Sequence, residues 1–229
     1  MTSDADTIVI VAAYEEAPRL AATLDAVRAA FPGARVLVAD DGSRDATPHL
    51  ALQEGAELVR APTTVGKGAA MTLAAERVLA LALAPDPPVF VLCDADLGET
   101  ARELPPLAGA VCDGQLDLAI ARFRVKVGGG FGVALHFSRW ATRRLGGPQL
   151  AAPISGQRAL RGELLPVVVP FAPRFGMETA MNVDAARAGF RVGEIELELA
   201  HRATGRSLRG FLHRARQLKD FAAVYLARR

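Results

Sequence analysis

Short β-branched runs that alternate with stretches of helical periodicity constrain this chain more than any other feature. Thr7-Ile-Val-Ile-Val-Ala12 reads as a strand buried on both faces, because it is apolar throughout instead of alternating. Pro18 to Ala30 then places Leu20, Leu24 and Val27 at helical spacing, and Pro32-Gly33 stops the helix. The unit repeats. Arg35 to Ala39 is a strand, followed by a helix from about Ala46 to Glu54 for which Ser43 or Asp45 is the expected cap. Ala56 to Arg60 is a strand, followed by an alanine-rich helix that opens at Gly66-Lys67-Gly68 and runs to about Leu83. Val89 to Cys93 is a fourth strand. Such repeats imply a mostly parallel sheet with helices on both faces, and ligands of such sheets sit beyond the carboxyl ends of the strands. Those ends carry Tyr14-Glu15-Glu16, Asp40-Asp41-Gly42-Ser43 and Asp94-Ala95-Asp96, so acidic and small polar residues converge on one edge.

The second half is less regular. Strands are expected at Leu116 to Ile120, Pro153 to Leu160 and Arg191 to Leu199, with helices over Ser138 to Leu145 and Glu178 to Ala188. A glycine-rich loop spans Gly128 to Gly132, and a final helix spans Leu208 to Leu226. The 229 residues carry no repeat or linker, so one α/β domain is expected, with residues 1–100 and 101–229 as its halves. Apolar residues make up 51% of the chain, which excludes disorder. No apolar run reads as a membrane span, and the polar start Met1 to Asp6 lacks the basic region of a secretory signal. Cys93 and Cys112 form neither a metal spacing nor a disulfide framework. A cytoplasmic location is therefore expected. The tail from His201 is strongly basic, carrying Arg202, Arg206, Arg209, Arg214, Arg216 and Lys219 against Asp220. It suits phosphates or the inner face of a membrane, with a solvated helix face as the plainer alternative.

Three short motifs carry chemistry. Asp94 and Asp96 at a strand end offer two carboxylates to Mg²⁺ or Mn²⁺, which prefers one or two carboxylates plus phosphate oxygens. Such a cation offsets the charge of a departing diphosphate. Asp40 to Thr47 pairs a turn glycine, Gly42, with side chains that can satisfy the turn and the next helix start, and leaves Asp41 to meet a base or a ribose. Gly66-Lys67-Gly68 sets a cation at a helix start, where a phosphate is favoured. It is not a Walker loop, since Pro62 to Val65 precede it and Gly68 stands where Ser or Thr would be.

In this order the motifs resemble the donor half of the family-2 glycosyltransferases, which have the GT-A fold. Asp40 to Thr47 matches that family's Asp-Asp-Gly-Ser-x-Asp-x-Thr segment, Tyr14-Glu15-Glu16 its first loop, and Gly66 to Gly68 and Asp94 to Asp96 its later motifs. The resemblance implies a nucleoside-diphosphate sugar as donor, with UDP-glucose as the default. It implies donor contacts from Ala13, Tyr14, Glu15, Asp41, Gly66, Lys67, Asp94, Ala95 and Arg206, and metal at Asp96 and Asp94. Pro153 to Ala159, Pro170 to Glu178 and His201 to Arg206 are similar to a narrower group, the glucosyl-3-phosphoglycerate synthases. That likeness implies His201 as a third metal ligand and Glu178 on the sugar hydroxyls. It also places Ser155 and Gly156 beside the acceptor; a phosphate contact is expected from Arg158, where the group's pattern does not require arginine. The Gly128 to Gly132 loop and the compact ends depart from that group, so donor chemistry carries over better than acceptor identity.

The implied reaction moves a hexosyl group to an acceptor hydroxyl, with Asp96 acting through metal and Glu178 at the sugar as the catalytic pair. Retention of configuration is favoured, though Glu178 as a base would permit inversion. The acceptor is a small phosphorylated acid such as 3-phosphoglycerate, or a lipid phosphate. The alternatives are an inverting polyprenyl-phosphate transferase at the membrane surface and a non-catalytic nucleotide-sugar binding module. A nucleotidyltransferase fits poorly, because Ala13 to Ala17 has no glycine. No nucleic-acid partner is expected, and a homodimer remains open.

Overall fold

The structure is a computed structural model, and it describes residues 7–80, 89–124, 133–174, 176–199 and 220–229. Seven strands form one mixed sheet in the order β3-β2-β1-β4-β6-β5-β7. They are β1 (Thr7–Ala13), β2 (Arg35–Asp40), β3 (Glu57–Arg60), β4 (Val89–Asp94), β5 (Leu118–Phe123), β6 (Arg158–Arg161) and β7 (Val192–Leu197). The helices are α1 (Ala17–Ala30), α2 (Thr47–Gln53), α3 (Lys67–Leu79), α4 (Pro105–Cys112), α5 (Val133–Arg144), α6 (Leu165–Val168) and α7 (Gly176–Arg187).

β1 pairs in parallel with β2 on one side and β4 on the other, and β2 pairs in parallel with β3. The first-half expectation of a parallel sheet therefore holds. Beyond β4 the sheet changes direction. β6 is antiparallel to both β4 and β5, while β7 runs parallel to β5. The chain leaves β1 toward β2 and later returns to β4 on the opposite side, so strand order reverses at β1. Open α/β sheets place their ligand crevice beyond the strand ends at such a reversal.

The pleat divides one continuous apolar run between two cores. Val9 and Val11 of β1, with Val91 and Cys93 of β4, face the cluster that contains Leu20, Leu24 and Val27 of α1 and Leu107 and Val111 of α4. Ile8, Ile10, Phe90 and Leu92 face the opposite cluster, with Met71, Ala75 and Val78 of α3 and Met177 and Met181 of α7. Burial on both faces is why these strands read as apolar throughout.

Several expectations need correction. The strand expected over Pro153 to Leu160 begins only at Arg158, because residues 153–157 form the turn that enters β6. Pro153 has no N–H to give a ladder. The fifth strand is Leu118–Phe123, two residues later than its apolar run suggests. The structure also contains a 3-10 segment at Gly98–Glu103, then α4, opened by Pro105 and Pro106 in its first turn, and the short α6. The alanine-rich helix ends at Leu79, with Ala80 as its cap, short of the expected Leu83, and the Gly128 to Gly132 loop and most of the expected final helix lie outside the described residues. Of that helix, residues 220–227 are helical. Among the described residues no helix is long and apolar enough to cross a membrane.

Candidate active site

The polar loops at the carboxyl ends of β1 and β2 are bonded to each other. Ser43 Oγ accepts from the Glu15 N–H at 2.9 Å, Thr47 Oγ1 from the Glu16 N–H at 2.9 Å, and Asp45 Oδ2 from the Ala17 N–H at 3.1 Å. Glu15 Oε1 in turn accepts from the Arg44 N–H. The expected caps of α2 thus serve mainly to fasten the first loop, although Asp45 Oδ1 also accepts from the Thr47 N–H. Glu15 sits at φ 54°, in the left-handed region, and is exposed beside Tyr14. Such a residue persists only where its surroundings hold it, and this loop supplies those bonds. Beneath it Asp40, with no exposed surface, accepts from the Ser43 N–H and pairs with Arg60 at 3.1 Å.

Asp41, expected to meet the donor, is committed first to the protein. Its Oδ1 accepts from the N–H groups of Val65 at 2.7 Å and Gly66 at 2.8 Å. The carboxylate therefore shapes the approach to α3. Gly66 takes φ 97°, and a Cβ there would stand 2.9 Å from Arg174 Cγ, so the turn requires glycine.

Lys67 opens α3 and carries the central interaction. Its ammonium lies 2.7 Å from Asp94 Oδ1 and 2.9 Å from Glu178 Oε1. Burial alone would lower the Lys67 pKa, but the two carboxylates more than reverse this and push it well above the ordinary lysine value. The pair links the donor half to α7 across 111 positions of sequence. Asp94 Oδ2 also accepts from Gln157 Nε2 at 3.0 Å. Gly156 lies against this cluster: a Cβ would sit 2.5 Å from Asp94 Oδ2 and 2.6 Å from Lys67 Nζ. The turn at Ser155-Gly156 therefore meets the donor-side acid directly.

The remaining part of D-x-D is arranged differently. Ala95 is buried, donates its N–H to the Ala12 carbonyl and accepts from the Thr23 hydroxyl at 2.7 Å. Thr23 Oγ1 also accepts from the Gly98 N–H, so α1 clamps both ends of the loop. Ala13 is likewise buried, and its carbonyl accepts from the Asp41 N–H. Between these anchors Asp96 is half-buried, and among the described residues its carboxylate has no hydrogen-bond or ion-pair partner. A carboxylate held at a strand end with both oxygens unspent suits a hard divalent cation that takes its other ligands from phosphate and water. No group of three acidic, histidine or cysteine ligands forms among the described residues. His201 and Arg206 lie outside them.

Arg158 is the main departure from expectation. It is fully buried, and its guanidinium donates to the Ser155 carbonyl at 2.8 Å, Asn182 Oδ1 at 2.7 Å and the Pro153 carbonyl at 2.9 Å. Asn182 Nδ2 bonds the same Pro153 carbonyl at 2.8 Å. Burial pushes Arg158 down to about 10, partly opposed by Glu178, Asp94 and Glu194, so it remains a cation at neutral pH. It braces the acceptor-side turn from within, and its place in the core corrects the expected phosphate contact. Sequence reasoning also missed Thr23, Gln157 and Asn182. Gln157 had a signal, since it adjoins the Ser155-Gly156 turn; Thr23 and Asn182 are lone polar residues within apolar helical patterns.

The glycosyl transferase family 2 profile matches residues 8–165, more than half of the chain. The chain belongs to that family. As a member it is a nucleotide-sugar hexosyltransferase. An uncharacterised glycosyltransferase of Mycobacterium tuberculosis is 33% identical over 214 residues, covering 90% of each chain. A dolichyl-phosphate hexose transferase of Haloferax volcanii is 27% identical over 230 residues, covering 98% of this chain and 96% of that one. Among solved structures, glucosyl-3-phosphoglycerate synthase from M. tuberculosis with Mn²⁺, UDP and glucosyl-3-phosphoglycerate has a TM-score of 0.75. It is 26% identical, covering 97% of this chain and 79% of that one. The same enzyme with Mn²⁺, UDP-glucose and glycerol 3-phosphate gives 0.74 at 26% identity, covering 97% of this chain and 79% of that one. The expected GT-A architecture is thereby shown.

Proposed function

We propose that this glycosyltransferase moves a hexosyl group from a nucleoside-diphosphate sugar, with UDP-glucose the first candidate, to a hydroxyl of a phosphorylated acceptor. The observation that carries the reading is the Lys67 ammonium, shared between Asp94 on the donor side and Glu178 on the acceptor side. It joins the two halves, where a sugar bridging them would lie. The UDP-glucose, Mn²⁺ and phosphorylated acceptors in the similar synthase structures support the same assignment.

Asp96, with Asp94, would hold Mg²⁺ or Mn²⁺, and when bound the cation supplies charge compensation for the departing diphosphate. The chain's own groups do the rest. The fastened loop of Tyr14 and Glu15 offers an edge for the base, with Asp41 setting the course of Val65 and Gly66 around it. Lys67 exchanges part of its pairing for donor phosphate or sugar oxygens. Glu178 holds sugar hydroxyls, and Ser155-Gly156 positions the acceptor with Arg158 bracing the turn from behind. His201 and Arg206, which lie outside the described residues, are proposed from the family resemblance alone and would add a metal ligand and a diphosphate contact. Glu178 is buried and already ion-paired, so its use as a base would require breaking the Lys67 contact. That favours retention of configuration over base-assisted inversion.

A lipid-phosphate acceptor is the second reading, supported by the H. volcanii relative, which matches nearly the whole chain. A polyprenyl phosphate and 3-phosphoglycerate, each offered with UDP-glucose and Mn²⁺, separate the two. Product from the soluble acid alone supports the first, and product from the lipid alone supports the second. Neither product, with no donor hydrolysis, would remove the transfer assignment. The anomeric signal of the product in NMR spectra decides between retention and inversion.

A further inference from the structure

Beside the acceptor-side turn lies a cavity of about 670 Å³. Its lining includes His136, Arg139, Trp140 and Arg143 of α5, facing Ala151 and Glu194. The α5 residues fall at the spacing of one helix face. Among the described residues the charge of this face has no carboxylate paired to offset it. Arg139 gives Nε and an Nη to the Ala151 carbonyl, a neutral acceptor. Arg143 is exposed, and among the described residues neither arginine has a carboxylate partner. Elsewhere arginines such as Arg35, Arg77, Arg191 and Arg228 are ion-paired. Glu194, the one acid in the lining among the described residues, turns its oxygens to the backbone N–H groups of Ala151 and Ala152. The Trp140 ring, packed at a tilt against Tyr225 with 4.9 Å between centroids, gives the cavity an aromatic wall.

Two contacts tie this cavity to the candidate active site. Ser138 Oγ, next to Arg139, lies 2.8 Å from Thr179 Oγ1, next to Glu178. Ala151 begins the segment that runs through Ser155 to Gly156 against Asp94. We propose that the cavity is a phosphomonoester subsite in which His136, Arg139 and Arg143 hold the phosphate of the acceptor while its hydroxyl reaches the Ser155-Gly156 turn. Arginine forks match phosphate oxygens geometrically, and the aromatic wall accommodates the carbon skeleton. Naming that anion as the acceptor rests on the proposed transfer reaction; the binding of phosphate here does not.

Trp140 is the only tryptophan of the chain and lines this cavity, so tryptophan fluorescence reads out from its wall. The intact protein is titrated at constant ionic strength with inorganic phosphate, with glycerol 3-phosphate, and with vesicles carrying or lacking a polyprenyl phosphate. A saturable change with the soluble monoesters supports the subsite with a small-molecule source. A change with the polyprenyl phosphate vesicles alone supports it with a lipid source. In either case Arg143→Gln and His136→Gln, both at exposed positions, should each raise the half-saturating concentration about fivefold or more. No change with any probe, or the same titration in both variants, overturns the proposal. Calorimetric titration of UDP with Mn²⁺, run in parallel, keeps the two ideas apart. Absent UDP binding with an intact phosphate response would sink the transfer reading and leave the subsite standing.

Discussion

The two sides of the candidate site are held together by different physics. On the donor side the loops after β1 and β2 are joined by hydrogen bonds from small residues, Ser43, Asp45 and Thr47, to the backbone at Glu15, Glu16 and Ala17. Each is a single side-chain-to-backbone bond, and several act in parallel. On the acceptor side one fully buried cation, Arg158, serves three acceptors, and the turn above it packs on Asp94 and Lys67 with no space for a further carbon. Many small bonds tolerate the loss of one. A buried charge network does not, because each partner left behind is an unsatisfied polar group in a medium of low dielectric. The donor side should therefore yield gradually to substitution and the acceptor side abruptly.

The largest expected effect tests the abrupt side. Arg158→Met leaves the Ser155 carbonyl and Asn182 Oδ1 without their donor, removes one of the two donors to the Pro153 carbonyl, and should cost about 3–5 kcal/mol of stability in urea denaturation. A loss no greater than that of a donor-loop variant would break the comparison. Lys67→Ala, at the junction of the two sides, should weaken UDP-glucose binding by about 1.5–3 kcal/mol in calorimetry with Mn²⁺ present. Unchanged affinity would return Lys67 to a structural tie between halves. Gly156→Ala forces a Cβ against Asp94 and Lys67 and should cost about 1–3 kcal/mol of stability. A neutral result would show that the turn can retreat, which the bracing by Arg158 argues against.

Acid sharpens the comparison through Asp117, which lies immediately before β5. Its hydrogen bonds with Arg191 hold its carboxyl down to about 2, below the ordinary aspartate value. A depressed folded-state pKa means the stabilisation is complete above the unfolded value near 4 and is lost as pH falls toward 2. About 1–2 kcal/mol should disappear over that window, allowing for the exposure of Arg191, and Asp117→Asn should flatten that part of the profile. The smallest effect belongs to the donor side. Ser43→Ala removes one of several parallel loop bonds and should cost about 1 kcal/mol, with donor affinity nearly preserved.

The sequence by itself determined the first half closely. Apolar runs bounded by glycine and proline located β1, β2, β3 and β4 within a residue or two, and the acids at their ends marked the edge that holds the candidate site. These signals are local: strand burial is written in a few consecutive residues, and a turn in the residues that form it. The motif order also led to the family that the profile then showed. Tertiary structure alone decided the rest. Nothing near Lys67 indicates that its partner is Glu178, 111 positions away, and nothing near Arg158 separates a surface arginine from one fully buried. Asp41 and Asp96 look alike as strand-end acids, yet one is committed to the N–H groups of Val65 and Gly66 and the other keeps its oxygens unspent among the described residues. A side chain's partner depends on which distant elements the sheet order and helix packing bring beside it. That information belongs to the register of the whole chain and not to any segment of it.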